Sequence, residues 1–482
     1  MQRFRGCLTL FLSLVLMASL STTLKAYVPP VYSGGDGTSG NPFQIGSKAD
    51  LLTFMNDVSL PGRSAHYILT VDIDLTGESW TPIGTMTTPF TGSFDGNSHT
   101  ISNLTLAYTT LLDTEAVGMF GVCENCSISD LNLSTVTFNI LSDDATLMVG
   151  ALVGLVTSDT GADIYDIDAS GDVVVTYIND DAEPNADVLS VGGVVGRFTS
   201  TSPTGTYDKI AGVNSRVNTT LSILDLTATT NTMTISVGGV VGYTLDAAVQ
   251  ESTVNGATIS MTVDPLNVTY DNLIASSQID VGGLVGSVTQ TNDDYGPTGY
   301  PVVAGNTVGH SDPVLVNGVF NVGGMIGRIY ATNRTKVTDN TVEDVNVTGK
   351  RNVGGLVGEG VSTDFKENIL ETITLTGSTA FELIYSANFG GVGGYLSGAP
   401  EVNDNVVIDL STANLLFANV SSVGGQIGLA GEDTEIMNGV VTASSIDGTS
   451  NVGGSSARVI NRPFTARRSL TRRCAVLIPL AG

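Results

Sequence analysis

The chain has 482 residues, 57 of them glycine, and a formal net charge of −27. All 47 acids lie between Tyr27 and Ser456, whereas three of the 20 bases precede Tyr27 and six follow Ser456, which leaves 11 bases in the body. A surface of that sign repels nucleic acid and anionic lipid, while 41% hydrophobic residues exclude wholesale disorder and a single Trp argues for a thin core repeated along an axis.

Residues 1–26 carry Arg3 and Arg5, an apolar stretch from Cys7 to Leu20, and a polar run ending at Ala26, the plan of a secretory signal peptide. That apolar stretch falls short of the roughly 20 residues of a membrane-spanning helix. The longest later apolar run, Val149 to Val156, is broken by Gly150 and Gly154, so no transmembrane segment is expected in the mature chain.

Residues 27–116 read as an N-terminal cap and leader coils. Ser47 with Asp50 approximates a capping box, and Leu51, Leu52, Phe54 and Met55 form one apolar face, which predicts a short amphipathic helix from Ser47 to Asp57 over the open first coil. Asp72 and Asp74 flank Ile73, so on a strand their side chains share a face about 7 Å apart. That spacing suits a catalytic carboxylate pair, but a solvated strand face is the favoured reading in so acidic a chain. The histidines are His66, His99 and His310, with no H-E-x-x-H helix and no G-x-S-x-G elbow, and His99 belongs to a turn. No catalytic or metal-binding residue is therefore assigned. Cys123 and Cys126 are compatible with a redox pair, half a zinc site or a local disulfide, and export with a strand-and-turn context favours the disulfide.

Residues 117–456 read as a repeat solenoid. Val149-Gly150-Ala151-Leu152-Val153-Gly154 recurs with paired glycines at Gly192-Gly193, Gly238-Gly239, Gly282-Gly283, Gly323-Gly324, Gly354-Gly355 and Gly424-Gly425. Weaker copies begin at Val117, Val392 and Val452, and from Val149 the starts lie 42, 46, 44, 41, 31, 39, 31 and 29 residues apart. Between them run alternating stretches such as Thr232 to Ser236 and Thr372 to Thr376, with the period of half-buried strands. Spacing this variable suits a coil whose corners accept insertions rather than a propeller, and each long repeat reads as two coils of roughly 20 residues. The glycines allow positive φ or close backbone approach; whether they form a corner or an inward gap stays open. Acid-rich loops at Asp143-Asp144, Asn179-Asp180-Asp181 and Asn292-Asp293-Asp294 are possible calcium sites, although none has the EF-hand order and ordinary polar loops are favoured. Eight glycosylation sequons occur, about as many as chance supplies at this composition. Residues 457–482 hold six arginines and no acid; they read as a disordered end or a reading-frame artefact, with a basic anion-binding segment as the other choice.

The V-G-G-L-V-G core resembles the GLUG motif of extracellular and surface-associated microbial proteins. Gly34 to Leu52, Leu69 to Leu75, Trp80 to Gly84 and Phe90 to Leu106 are similar to the region that leads into such repeats. The resemblance implies an all-β, right-handed parallel β-helix-like solenoid with surface or adhesive roles, and it implies no reaction. The expectation is a non-catalytic secreted or cell-surface scaffold, adhesin-like, that presents a solenoid face to a glycan or extracellular protein and needs no cofactor. The alternative, a polysaccharide hydrolase or lyase on the same fold, requires a groove with clustered Asp, Arg, Lys and aromatic residues, and bases scattered along the body argue against it. Ice or mineral binding through Thr rows is disfavoured by the variable repeat length.

Overall fold

The computed structural model describes residues 30–459 apart from 113–114, 144, 180–185, 202–207, 227–231, 265–277, 292–300, 379–386, 414–419, 432–433, 443–451 and 454–455. The signal segment and the tail beyond Val459 lie outside the described residues, as do Asp144, Asp180, Asp181 and Asn292 to Asp294 of the acidic loops. From Tyr32 onward the chain is one compact unit. Its strands form a sheet of 31 and a sheet of 10, and every ladder between named strands is parallel. The protein is a parallel β-helix-like solenoid.

The ten-stranded sheet collects the starts of the glycine motifs. Val149 lies beside Val191, Val191 beside Val237, Val237 beside Val281, and so on through Val322 and Val353. These valines point inward and are buried, each worth about 1.5–3 kcal/mol of apolar burial. The chain then bends at Gly193-Val194, continues through Val195–Ser200 and Lys209–Ala211, turns again at Gly212, and runs along Asn214–Leu226 before returning at Thr232. Val195 pairs with Val241, and Lys209 with Ala248. A whole repeat is therefore a single coil, not two coils of about 20 residues. The perimeter holds several strands, which is why even the shortest full repeats need about thirty residues. Longer repeats place their extra residues between strands, where no ladder constrains length.

The register also corrects one copy of the motif. Val353 pairs with Phe389, which pairs with Val423, so the repeat begins at Phe389-Gly390-Gly391 and not at Val392. A phenylalanine fills the inward position elsewhere held by valine, and that substitution hid the true start.

The leader belongs to the same stack. Phe43–Ile45 pairs with Tyr67–Leu69, His66–Ile68 with Ser93–Asp95, and Ser93–Asp95 with Ser127–Ser129. The first coil holds the expected helix, α1 (Lys48–Asn56), with Ser47 as N-cap accepting from the Asp50 amide at 3.2 Å. Asp50 does not complete the capping box; its carboxylate accepts from Ser33 Oγ at 2.6 Å and Gly46 N at 3.0 Å. Leu51, Phe54 and Met55 are buried, while Leu52 is only partly so. Phe54 packs on Tyr67, Phe90, Phe94 and Phe120, rings drawn from successive coils. The outer edge of Phe43–Ile45 is covered by an antiparallel bridge between Gly34 and Gln44, so the N-terminal edge is not left open to another strand. At the other end Ser456–Val459 pairs with Ile427–Ala430, three residues past the boundary expected for the tail.

Candidate functional site

The paired glycines make a corner. Each first glycine ends a strand of the ten-stranded sheet, and a Cβ at Gly192, Gly238, Gly282, Gly323 or Gly354 would run into a carbonyl across its own bend, that of Val195, Val241, Val285, Ile326 or Val357. Each second glycine faces the next coil, where a Cβ on Gly193, Gly239, Gly283, Gly324 or Gly355 would strike the carbonyl of Gly239, Gly283, Gly324, Gly355 or Gly391. Gly424 continues the column beside Gly390, and the Gly425 carbonyl faces Gly391. None of the paired glycines in residues 192–355 has a positive φ. Close approach, not left-handed backbone, is what the motif needs.

Two polar columns run through the late coils, and neither was foreseen from the sequence. In one, Asn306 Nδ2 donates to Asn340 Oδ1 at 3.0 Å, Asn340 Nδ2 to Asn368 Oδ1 at 2.9 Å, and Asn368 Nδ2 to Asn405 Oδ1 at 2.8 Å. The same acceptors also take the backbone amides of Asn306, Asn340 and Asn368. In the other, Asn388 donates to Asn352, Asn352 to Asn321, and Asn321 to Asp280, each at 2.9 Å. Asp280 also accepts from Gln278 at 2.6 Å. Complete burial pushes the Asp280 carboxyl up to about 6, against the opposing pull of these donors and of Arg328. The signal was present as Asn two residues before an inward Val or Leu, as in Asn306-Thr307-Val308, Asn340-Thr341-Val342 and Asn368-Ile369-Leu370.

The sequence candidates are placed as follows. Asp72 is exposed and accepts from His99 Nδ1 at 3.1 Å and Thr100 N at 2.9 Å, contacts that lower its pKa. Asp74 accepts from Thr76 N and Oγ1 and from Asn103 Nδ2, and these hydrogen bonds lower it to about 2. Both carboxylates are thus held ionised at neutral pH, the opposite of what a general acid requires. His66 meets Ser93 Oγ at 2.7 Å and His310 meets Glu343 at 2.8 Å, so the three histidines are not brought together. Cys123 and Cys126 are joined as a buried disulfide. Asp143 lies just past the strand that ends at Ser142, half-buried.

The bases are not scattered. Six of the body's 11 fall between Arg328 and Lys366, and two of them meet at an open cleft of about 510 Å³ lined by Thr332, Arg334, Ser362, Gly398, Ala399, Glu401 and Glu435. Arg334 lies 3.2 Å from both Asp364 and Glu401 and donates to the Ala399 carbonyl at 3.0 Å. Lys366 donates to Glu401 at 2.8 Å and lies 3.8 Å from Asp364. The hydrogen bond from Lys366, then the nearby charges of Lys366 and Arg334, hold Glu401 below the usual carboxylate range. In-register stacking assembles the cleft, because it carries residues from four successive coils to one spot.

Among the described residues no group of three or more His, Cys, Asp and Glu is placed to hold a metal ion, and no helix is long and apolar enough to cross a membrane. No protein-family model matches the chain. A stretch of 131 residues, 26% of the chain, is 34% identical to a protein of Evansella cellulosilytica described as "Putative Gly-rich membrane protein" and covers 14% of it. A stretch of 155 residues, 30% of the chain, is 33% identical to Halomucin of Haloquadratum walsbyi and covers 2% of it. Both relatives are thus matched over a small part of their length. Among solved structures, a putative immunoglobulin A1 protease from Bacteroides ovatus aligns over 89% of this chain and 87% of its own, at 14% identity and a TM-score of 0.36.

Proposed function

We propose that the protein is a secreted or cell-surface scaffold of the GLUG type, adhesin-like and non-catalytic, whose solenoid faces meet glycan or extracellular protein partners. The observation that carries this reading is the unbroken register. The motif column from Val117 to Val452 stays in phase while repeat length varies by more than a dozen residues, so the conserved quantity is the stacked surface and the variable one is the loops. Relatives described as a Gly-rich membrane protein and a halomucin are in keeping with a place at the cell surface. A body with 11 bases and 47 acids suits neutral or cationic partners.

Binding along such a surface is polyvalent, each coil adding a weak contact to the whole. Deleting residues 237–321 removes two coils in register, because Val237, Val281 and Val322 stack directly. Adhesion to cells or immobilised glycans is expected to fall by a graded amount in that variant, with no turnover of the same glycans. Undiminished adhesion, or hydrolysis abolished by Asp72→Asn or Asp74→Asn, overturns the scaffold in favour of the enzyme.

A further inference from the structure

We infer that the cleft around Arg334 and Glu435 is a binding site for a neutral saccharide, a focal site that goes beyond the polyvalent surface proposed above and relies on that reading only for access to glycans. Most of the charged groups at the cleft are already committed to one another. Arg334 and Lys366 are engaged by Asp364 and Glu401, and Asp364 also accepts from the Glu401 amide at 2.9 Å. Two cations against Asp364, Glu401 and Glu435 leave the cleft one negative charge in excess. An anion finds no uncommitted positive charge there, which excludes uronates and sulfated sugars. A metal ion would have to displace the guanidinium that sits between the carboxylates.

A sugar needs something different, acceptors and donors gathered side by side for its hydroxyls. The cleft gathers such groups along one lining. Glu435, exposed on the rim, supplies an acceptor, the Ala399 carbonyl keeps a second lone pair beside its bond from Arg334, the Thr332 hydroxyl, which donates to the Gln290 and Thr291 carbonyls, accepts, and the Ser362 hydroxyl serves in either sense. The backbone that presents them is held in an uncommon conformation, with Ser362 at φ 53°, Gly398 at 78° and Ala399 at 56°. Two of those residues carry a Cβ and so pay a steric cost to stay left-handed, which the ladders on either side enforce. Such a rim is preorganised before any ligand arrives. Tyr330 is not part of the lining but is exposed next to it, two residues before Thr332 on the same strand and hence about 7 Å along the same face, where its ring can extend the site toward the apolar side of a pyranose. The Arg328 guanidinium stands over one face of that ring, 5.5 Å from its centroid, which leaves the opposite face for the sugar.

The test uses the full chain and a panel of neutral tetra- to hexasaccharides (cello-, xylo-, manno-, malto- and galacto-oligosaccharides), with oligogalacturonate and chitosan oligomers as charged arms, titrated by calorimetry and by ligand-observed NMR. At least one neutral oligosaccharide is expected to bind saturably. Glu435→Gln and Tyr330→Ala, both at exposed positions, should each weaken it about tenfold with an unchanged melting temperature, while Asp72→Asn leaves it unaltered. No saturable neutral ligand in the panel, preference for the uronate, or equal affinity in the Glu435 and Tyr330 variants overturns the proposal; tighter binding of chitosan alone reassigns the cleft to cations and overturns it as well. A variant lacking residues 149–236, two coils that do not border the cleft, separates the two readings: its oligosaccharide affinity should persist while cell adhesion declines.

Discussion

At the corner that follows the left-handed residue of each coil, the early coils place Leu131, Ile167 and Val213, whereas the late coils place Asn306, Asn340, Asn368 and Asn405 in the same column. All seven side chains are buried and the backbone around them follows one path. The early solution is apolar and non-directional, so leucine, isoleucine and valine serve in turn. The late solution is directional: each amide donates to a carbonyl of the preceding coil, as Asn340 does to Val303 and Asn368 to Val337, and all but Asn405 donate to the next amide as well. One backbone is thus supported by two kinds of core. They differ in how a fault spreads, because a lost methyl affects its neighbours weakly whereas a lost amide leaves both adjacent rungs unsatisfied.

The largest effect that would sharpen this contrast is therefore at the middle of the asparagine column. Asn340→Leu removes the acceptor of the Asn306 amide and side chain and the donor to Asn368 and Val303. It should cost about 3–5 kcal/mol in urea unfolding, against about 1 kcal/mol for Ile167→Val in the equivalent early position. Equal costs would mean that the amides are passengers in a core held by its valines.

The two regions should also respond to acid with opposite sign. Asp280 has a folded pKa of about 6, above the ordinary carboxylate value of 3.8, so its protonated form is favoured by folding. Its contribution is complete below about pH 4 and is lost as pH rises through 6, a swing of about 2–3 kcal/mol that Asp280→Asn should flatten. Asp74 in the leader is lowered to about 2, so its contribution is present above pH 4 and is lost as pH falls through 2. Hydrogen exchange at pH 7 and pH 5 should then show the coils around Asp280 better protected at the lower pH, with the leader around Asp74 unchanged. Uniform behaviour of both segments would break the contrast.

The glycine corner, by comparison, should make no distinction between regions. Gly193 and Gly283 both face the carbonyl of a glycine one coil away, and Gly193→Val and Gly283→Val should each destabilise by about 1–3 kcal/mol. An unchanged denaturation midpoint at either position would show that the spacing of the coils is not set there.

Much of the fold was legible because its determinants are local. The valines of the motif have to point inward wherever a strand ends in paired glycines, and Ser47 with the face of Leu51, Phe54 and Met55 specifies its helix without help from the rest of the chain. The number of strands per coil was not legible, since it depends on which residues meet across 46 positions, as Val191 and Val237 do. The cleft was hidden for the same reason. Arg334, Ser362, Glu401 and Glu435 are separated by tens of residues and become neighbours only through stacking. The asparagine columns were hidden differently: one asparagine in a loop-like string is ordinary, and the pattern exists only when rungs are aligned.

The smallest effect tests the comparison at its hinge, the left-handed position that precedes the corner. In the early coils it is held by Asp130, Asp166 and Gly212, and in the late coils by Gly305, Asp339, Glu367 and Asp404, all with φ between 51° and 68°. Glycine occupies such a conformation without the penalty that a Cβ brings. Stacking also sets Asp339, Glu367 and Asp404 on consecutive rungs, exposed, with their like charges adjacent. Glu367→Gly relieves both the backbone strain and part of the repulsion, and should raise stability by about 0.5–1 kcal/mol, more at low salt than at high. The reverse exchange, Gly305→Glu, meets no obstacle of space, because the nearest atom to the new Cβ would be Glu251 Cγ at an ordinary 3.7 Å. Any loss there measures the left-handed conformation and the added charge alone. If Gly305→Ala, which adds the left-handed strain without the charge, is neutral while Glu367→Gly still stabilises, charge stacking and not backbone strain limits the late coils, and 1 M NaCl should then abolish the difference.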